Sequence, residues 1–285
     1  MPSWFLYSLA NAFFFSIYQA LSNRAVKHGQ YSKYAILFYA TFIAALVQLI
    51  AAWWFGFPEL EDGFFFALSI TAVLNALAVP LMLRAYEIGE FSTVFSMLLL
   101  SPIFLLLTSF IILGEVPSIW GAVGVLLTVA GLTFASSEKY SFSKFNRGTW
   151  IAILVAFIFS ISSNFDKLTM QRSDPFFAGF ALNISIAMLS LVFLIFKKNG
   201  LKNLILRNKS DFWMLVPIGA TLGVSSTFFL LAMSTGLVSY ASAVKRLGLV
   251  FAILWGWLFF KEKNISKKIL GAAVAIVGVL LIIFS

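Results

Sequence analysis

Two adjacent cations, Lys245 and Arg246, sit inside the otherwise apolar run from Ser239 to Glu262, SYASAVKRLGLVFAILWGWLFFKE. A Lys or Arg at the centre of a membrane helix costs roughly 2.5–3.5 kcal/mol on insertion scales, so it persists where it faces a cavity or a partner. No carboxylate stands at matching depth: Asp166 and Asp174 fall near one end of their helices, Glu87 and Glu90 near the opposite face. A cation pair without a counter-ion is a site for an anion, and the planar fork of Arg246 matches phosphate or carboxylate. The plainer alternative is a structural pair, or snorkelling to an interface roughly 12 Å away at 1.5 Å per residue.

Polar residues at mid-depth in other apolar stretches extend the candidate site. Tyr18, Gln19, Tyr39, Asn75, Asn164, Ser225 and Ser226 are the expected substrate contacts beside Lys245 and Arg246, with Asn11, Ser163, Asn183 and Thr227 at similar depth. Bonding to a neighbouring helix is the commoner use of any one of them. Their spread over many stretches points to a wet central cavity. Pro80 and Pro102 should kink their helices. Glu115 and Glu262, in the turns GEVP and KEKN, read as helix-end caps rather than proton carriers.

The elements that must hold these residues are membrane spans. Hydrophobic residues make up 61% of the chain and charged residues 11%, against about 25% charged in a soluble domain. The 33 Phe and 8 Trp suit lipid-facing and interfacial surface. With no Cys there is no disulfide or thiol chemistry, and the single His28 lies in a short loop, so neither metal nor cofactor is expected. The net charge of +9 is spread over short loops, which argues against nucleic acid as a partner. The first apolar stretch lacks a basic lead-in and is interrupted by Asn11, Tyr18 and Gln19, so it reads as a retained span.

Apolar windows predict ten spans near 3–22, 34–55, 64–86, 91–113, 118–135, 149–168, 176–196, 213–233, 238–260 and 268–284. The chain is also duplicated. A constant offset of 147 residues pairs Ala85 with Ala232, Gly89 with Gly236, Ser92 with Ser239, Glu115 with Glu262, Gly124 with Gly271 and Gly131 with Gly278. Ala12–Ile17 (AFFFSI) likewise matches Ala156–Ile161 (AFIFSI). The copies differ at the expensive positions, where Leu98 and Leu99 stand for Lys245 and Arg246. The fold class expected is therefore an all-α integral membrane protein of ten transmembrane helices, as two inverted five-helix repeats. Residues 1–137 and 148–285 are the halves and 138–147 the linker. Five spans per half put the second half upside down, the arrangement of secondary transporters with a site at the midplane. Glycines seven apart in the fifth and tenth spans mark these as closely packed helices.

Loop charge sets the orientation. Sixteen Lys and Arg fall on one side of this topology and two, Lys167 and Arg172, on the other beside Glu59, Glu61 and Asp62. The rich side is cytoplasmic by the positive-inside rule, which leaves both termini outside.

Ten spans, two five-span repeats, the Gly-Glu or Lys-Glu turn after the fourth and ninth spans and the glycine-rich fifth and tenth spans resemble the drug/metabolite transporter superfamily, EamA type. The resemblance covers essentially the whole chain. It implies a substrate cavity among spans one to four and six to nine. Val244-Lys245-Arg246 is also similar to the tripeptide with which plastid phosphate translocators hold a substrate phosphate. Those translocators carry a further Lys in the fourth span, whereas Ser92 to Leu113 has no cation, so the resemblance implies organic anions more generally. Many relatives keep both termini in the cytoplasm, the opposite of the charge distribution here.

The function expected is a secondary transporter in the inner (plasma) membrane. It moves a small organic anion, phosphorylated or carboxylated, by alternating access. Its partners are that small molecule and the lipid bilayer, in a monomer or homodimer. The alternatives are an exporter of amino acids or drugs in which Lys245 and Arg246 are structural, a lipid-linked glycan flippase component, and an integral membrane enzyme. The last lacks a ligand cluster or a nucleophile with a base.

Overall fold

A computed structural model describes residues 1–27, 33–89, 91–136, 146–196, 204, 209–251 and 266–285. The described residues form helices α1 (Ser3–Lys27), α2 (Lys33–Phe55), α3 (Phe64–Ile88), α4 (Phe91–Leu98), α5 (Ser101–Leu113) and α6 (Ile119–Ser136). They continue as α7 (Arg147–Gln171), α8 (Pro175–Phe196), α9 (Lys209–Thr235), α10 (Val238–Lys245) and α11 (Ser266–Ile283), with no strand among them. Among the described residues, seven stretches are long and apolar enough to cross a membrane: α2 from Ala35, α3, Thr93–Leu113 through α4 and α5, α6, α7, α8 and α9 from Phe212. His28, Glu90, Glu262, linker residues 138–145 and the later part of the ninth span lie outside the described residues.

Side-chain placement departs from that of a water-soluble domain mainly on the outside. The interior is rich in small and polar groups: Ala12, Ala40, Ala44 and Ala52 are fully buried, as are Ser16, Gln48, Thr71 and Asn164. Large apolar groups cover the outside. Trp53, Trp54 and Trp120 are exposed towards one end of the bundle, Trp150 and Trp213 towards the other, the positions of two interfacial belts. Without water to drive association, helices gain from close backbone approach and polar contacts, so small and polar residues turn inward.

Both termini lie at one end. The Trp4 ring is 6.0 Å from that of Tyr240, whose hydroxyl accepts from Ser118 N–H at 3.0 Å, and Ser285 packs beside Gly121. The turn at 56–63 joins this end, where Arg172 Nε donates to Asp62 O at 3.1 Å and Glu61 N–H to Arg172 O at 3.0 Å. At the opposite end Gly89 abuts Gly148, Ser96 bonds Ser136 at 3.0 Å, and the Tyr39 hydroxyl donates to Leu204 O.

The main helix pairs cross between the two parts of the chain. α1 lies along α9 and α3 along α7, α2 packs on α8 and α9, and α6 runs along α11. Glycines make the last contact possible. A Cβ on Gly124 would lie 2.6 Å from the Gly278 carbonyl oxygen, and one on Gly131 2.6 Å from that of Gly271. Thr128 and Ala275 face each other at the crossing, where Thr128 Oγ1 donates to Ala275 O at 3.4 Å. The pairing of Gly124 with Gly278 and Gly131 with Gly271 makes α6 and α11 antiparallel.

Replacing Gly131 by Leu forces these backbones apart. Overpacking of a tight contact costs typically about 1–3 kcal/mol, so unfolding of the purified protein should move to markedly lower temperature. Val277→Ala, on the exposed face of α11, should leave it unchanged.

Candidate functional site

Regular helix gives way to a turn at two places 147 residues apart, within the expected fourth and ninth spans. α4 ends at Leu98 and α5 begins at Ser101; α10 ends at Lys245 and helix resumes at 248. Each break is a tight turn, with Leu100 N–H to Met97 O at 3.1 Å in one and Leu247 N–H to Val244 O at 2.9 Å in the other. Pro102, in the first turn of α5, removes a donor and stops α4 from continuing. The second break has Leu249 in the place of Pro102. There Gly248 presses on α1, so that a Cβ would lie 3.0 Å from the Ala12 carbonyl oxygen. The kink expected at Pro102 is present as a turn of i→i+3 bonds with Leu100 still at right-handed helical angles, and the second copy has an equivalent turn at Arg246.

The two cations stand at the second break. Lys245 closes α10 and Arg246 is its C-cap, where the negative end of the helix dipole favours positive charge. The Lys245 ammonium lies 3.9 Å from the centre of the Phe229 ring and 5.1 Å from that of Phe15. Arg246 Nη2 donates to Ser101 Oγ at 2.6 Å, joining one broken span to the other. Its Nε is buried and has no hydrogen-bond partner.

Asp166 departs from the expectation that no carboxylate shares this depth. It lies within Coulombic range of Lys245, as Tyr86 does of Arg246, without a salt bridge to either cation. The reason is where the helices start: Lys245 is seven residues into α10 and Asp166 five from the end of α7, at the same end of the bundle. Thr71 Oγ1 donates to Asp166 Oδ1 at 2.5 Å.

The other expected contacts divide by their partners. Asn75 Nδ2 donates to Thr71 O at 2.9 Å and Ser162 Oγ at 2.8 Å, tying α3 to α7 close to Asp166. Asn164, fully buried, donates to Thr108 Oγ1 at 3.0 Å and Ser160 O at 2.8 Å. Ser225 is clasped by Asn11, which donates to its Oγ at 2.8 Å and to its carbonyl at 2.7 Å. Ser226 accepts from Gln48 at 2.9 Å and Asn183 at 3.2 Å. Tyr18 packs with the cluster of α1, α2 and α9 and tilts against Phe15 at 5.6 Å, with half-buried Gln19 beside it. Tyr39 is bound to Leu204 and packs in the same cluster as Tyr18. Ser101, Phe15, Phe229 and Asp166 are the neighbours of Lys245 and Arg246 that sequence reasoning missed. Only Asp166 carried a signal, as a carboxylate inside an apolar stretch.

Residues 2–137 and 146–284 each match the model of the EamA-like transporter family. The chain belongs to that family. A solved structure described only as "Crystal structure of protein" is similar over 98% of this chain and 96% of its own, with a TM-score of 0.78 at 16% identity. At that identity the likeness speaks for the fold alone. No curated protein matches the sequence. As an EamA-like chain with several membrane-spanning helices, this is a multi-pass membrane protein of a transporter family.

The Asn11–Ser225 clasp joins helices, so its loss should be felt in stability rather than in substrate affinity. A double-mutant cycle of Asn11→Leu and Ser225→Ala, read by unfolding in micelles, should give a coupling on the order of 0.6 kcal/mol, the usual size between membrane helices.

Proposed function

We propose that the chain is a secondary transporter that moves a small organic anion, phosphorylated or carboxylated, across the membrane by alternating access, with Lys245 and Arg246 as the anion site. The observation that carries this reading is the Arg246 guanidinium at a helix break, with a buried, unpartnered Nε and no carboxylate in salt-bridge contact. Buried donors are nearly always satisfied, and an anion oxygen would satisfy this one. The start of α5 beside Ser101 adds the positive end of a half-helix, which suits the same charge. Asn75 and Asn164 flank the site through α3 and α7, while Tyr18, Gln19, Tyr39, Ser225 and Ser226 shape the helices around it.

Ten spans in two inverted repeats, 1–137 and 148–285 about a linker at 138–147, are the architecture of this proposal. Its support is the exchange of contacts under the repeat offset. The Gly124–Gly278 contact becomes Gly271–Gly131, and the two span breaks fall on equivalent residues. The α3–α7 pairing becomes α9–α1 in the same way. The proposed location is the inner (plasma) membrane, and loop charge supports an orientation with both termini outside. The second reading, an exporter of amino acids or drugs with structural cations, draws on the Arg246–Ser101 bond and on Lys245 over Phe229.

Uptake into proteoliposomes decides between them. Arg246→Leu installs what the first repeat carries at Leu99, so it should insert normally and lose transport of phosphorylated and carboxylated metabolites. Arg246→Lys keeps the charge without the fork and should weaken apparent affinity by about tenfold. Wild-type uptake by Arg246→Leu would make the cations structural.

A further inference from the structure

The end of the bundle that carries the termini holds an apolar cluster drawn from both parts of the chain, beside a second one around Tyr240 and Ile282. Leu105 of α5, Met170 of α7, Leu182 of α8, Phe229 and Met233 of α9 and Val238 of α10 meet in the first. At the opposite end the described apolar residues form two separate clusters. One joins α3, α4 and α7 through Ala85, Val94 and Val155; the other joins α1, α2 and α9 through Ala25, Ile36 and Leu215.

An ion pair fastens the termini end. Lys167 of α7, placed among loop cations by sequence, is 8% exposed and donates to Glu115 Oε1 at 2.6 Å and to Gly236 O at 2.8 Å. Gly114, at φ 68°, turns the chain after α5 so that Glu115 faces across. The second oxygen of Glu115 accepts from Val238 N–H at 2.9 Å, the first residue of α10. Leu237, the N-cap of α10, offers no side-chain cap of its own, so Glu115 supplies it. The pair therefore holds three things together: α7, the α5–α6 turn, and the start of the short helix that ends in Lys245. Removing two charges from water costs about as much as their attraction returns, so a buried pair is a poor device for stability and a good one for a switch.

We propose that Lys167 and Glu115 form the latch of a gate at the termini end, whose release frees α10 and the cations it carries. The proposal rests on the transport reading above. Lys167 and Glu115 act as positioning residues, through the helix they cap, and touch no substrate.

The absence of native Cys makes thiol labelling a direct test. Ala241→Cys, fully buried in the apolar cluster of the termini end, reports that end, and Ala85→Cys, equally buried, reports the other. Vesicles are treated with a membrane-impermeant maleimide, position 241 from the side on which a tag after Ser285 is accessible and position 85 from the opposite side. Removing both charges together, Lys167→Met with Glu115→Gln, leaves no orphan ion and should speed labelling at position 241 by about tenfold while position 85 is unchanged. Lys167→Arg, which keeps the pair, should label at the parental rate. Parental labelling with both charges removed would overturn the latch, and so would a rise at both positions, which marks a loosened fold. The readout needs no substrate, so failure of the anion reading would leave the labelling result as informative as before.

Discussion

A helix broken inside a membrane must hide the backbone groups it leaves unpaired, because the hydrocarbon offers them nothing. Two helices tighten into turns among the described residues, after Leu98 and after Lys245, and each turn bonds its own amides through i→i+3 contacts. The breaks face one another, joined by Arg246 and Ser101, and are walled by α1 through Phe15 and by α9 through Phe229. Irregular backbone at membrane depth is tolerated where protein or a water-filled cavity surrounds it. A charge is tolerated on the same terms, which is why the cations and the break share one place.

Duplication explains how such a site is held without a large apolar core. Each broken span packs against helices of the other copy, and the glycine contacts of α6 and α11 bring the copies within backbone distance. One copy then departs from the other where chemistry is wanted. Leu98 and Leu99 close the first break with apolar groups; Lys245 and Arg246 leave the second with two charges and a spare donor.

Much of the helical frame was legible in the sequence, because hydropathy windows, the repeat offset and the glycine spacing are local signals. The interruption of the ninth span was not. Its first copy advertises a break with Pro102, but the second has only Gly248, and what matters there is the approach of Ala12 from a distant helix. Depth was misjudged for Asp166 for a related reason. Position in a span is counted from an end, and α7 runs on to Gln171, past the end of its apolar window at 168, which carries Asp166 deeper than the window suggests. Glu115 was rightly read as a cap, but the helix it caps belongs to the other half of the chain. Its partner Lys167 looked like a loop cation because a window sees a charge near a helix end and nothing of what lies across from it. Those pairings are tertiary, and only packing places them.

The central claim is that Arg246 holds the substrate's negative charge, and binding tests it without any assumption about transport. A ligand at a hundredfold excess over its Kd stabilises the folded state by about 2.7 kcal/mol. Thermal unfolding of purified wild-type and Arg246→Leu protein should be followed against phosphorylated, carboxylated and neutral metabolites. An anionic metabolite is expected to raise the Tm of the wild type and to leave that of Arg246→Leu where it was. Equal stabilisation of both proteins by that metabolite, or stabilisation of the wild type by neutral compounds alone, would contradict the claim.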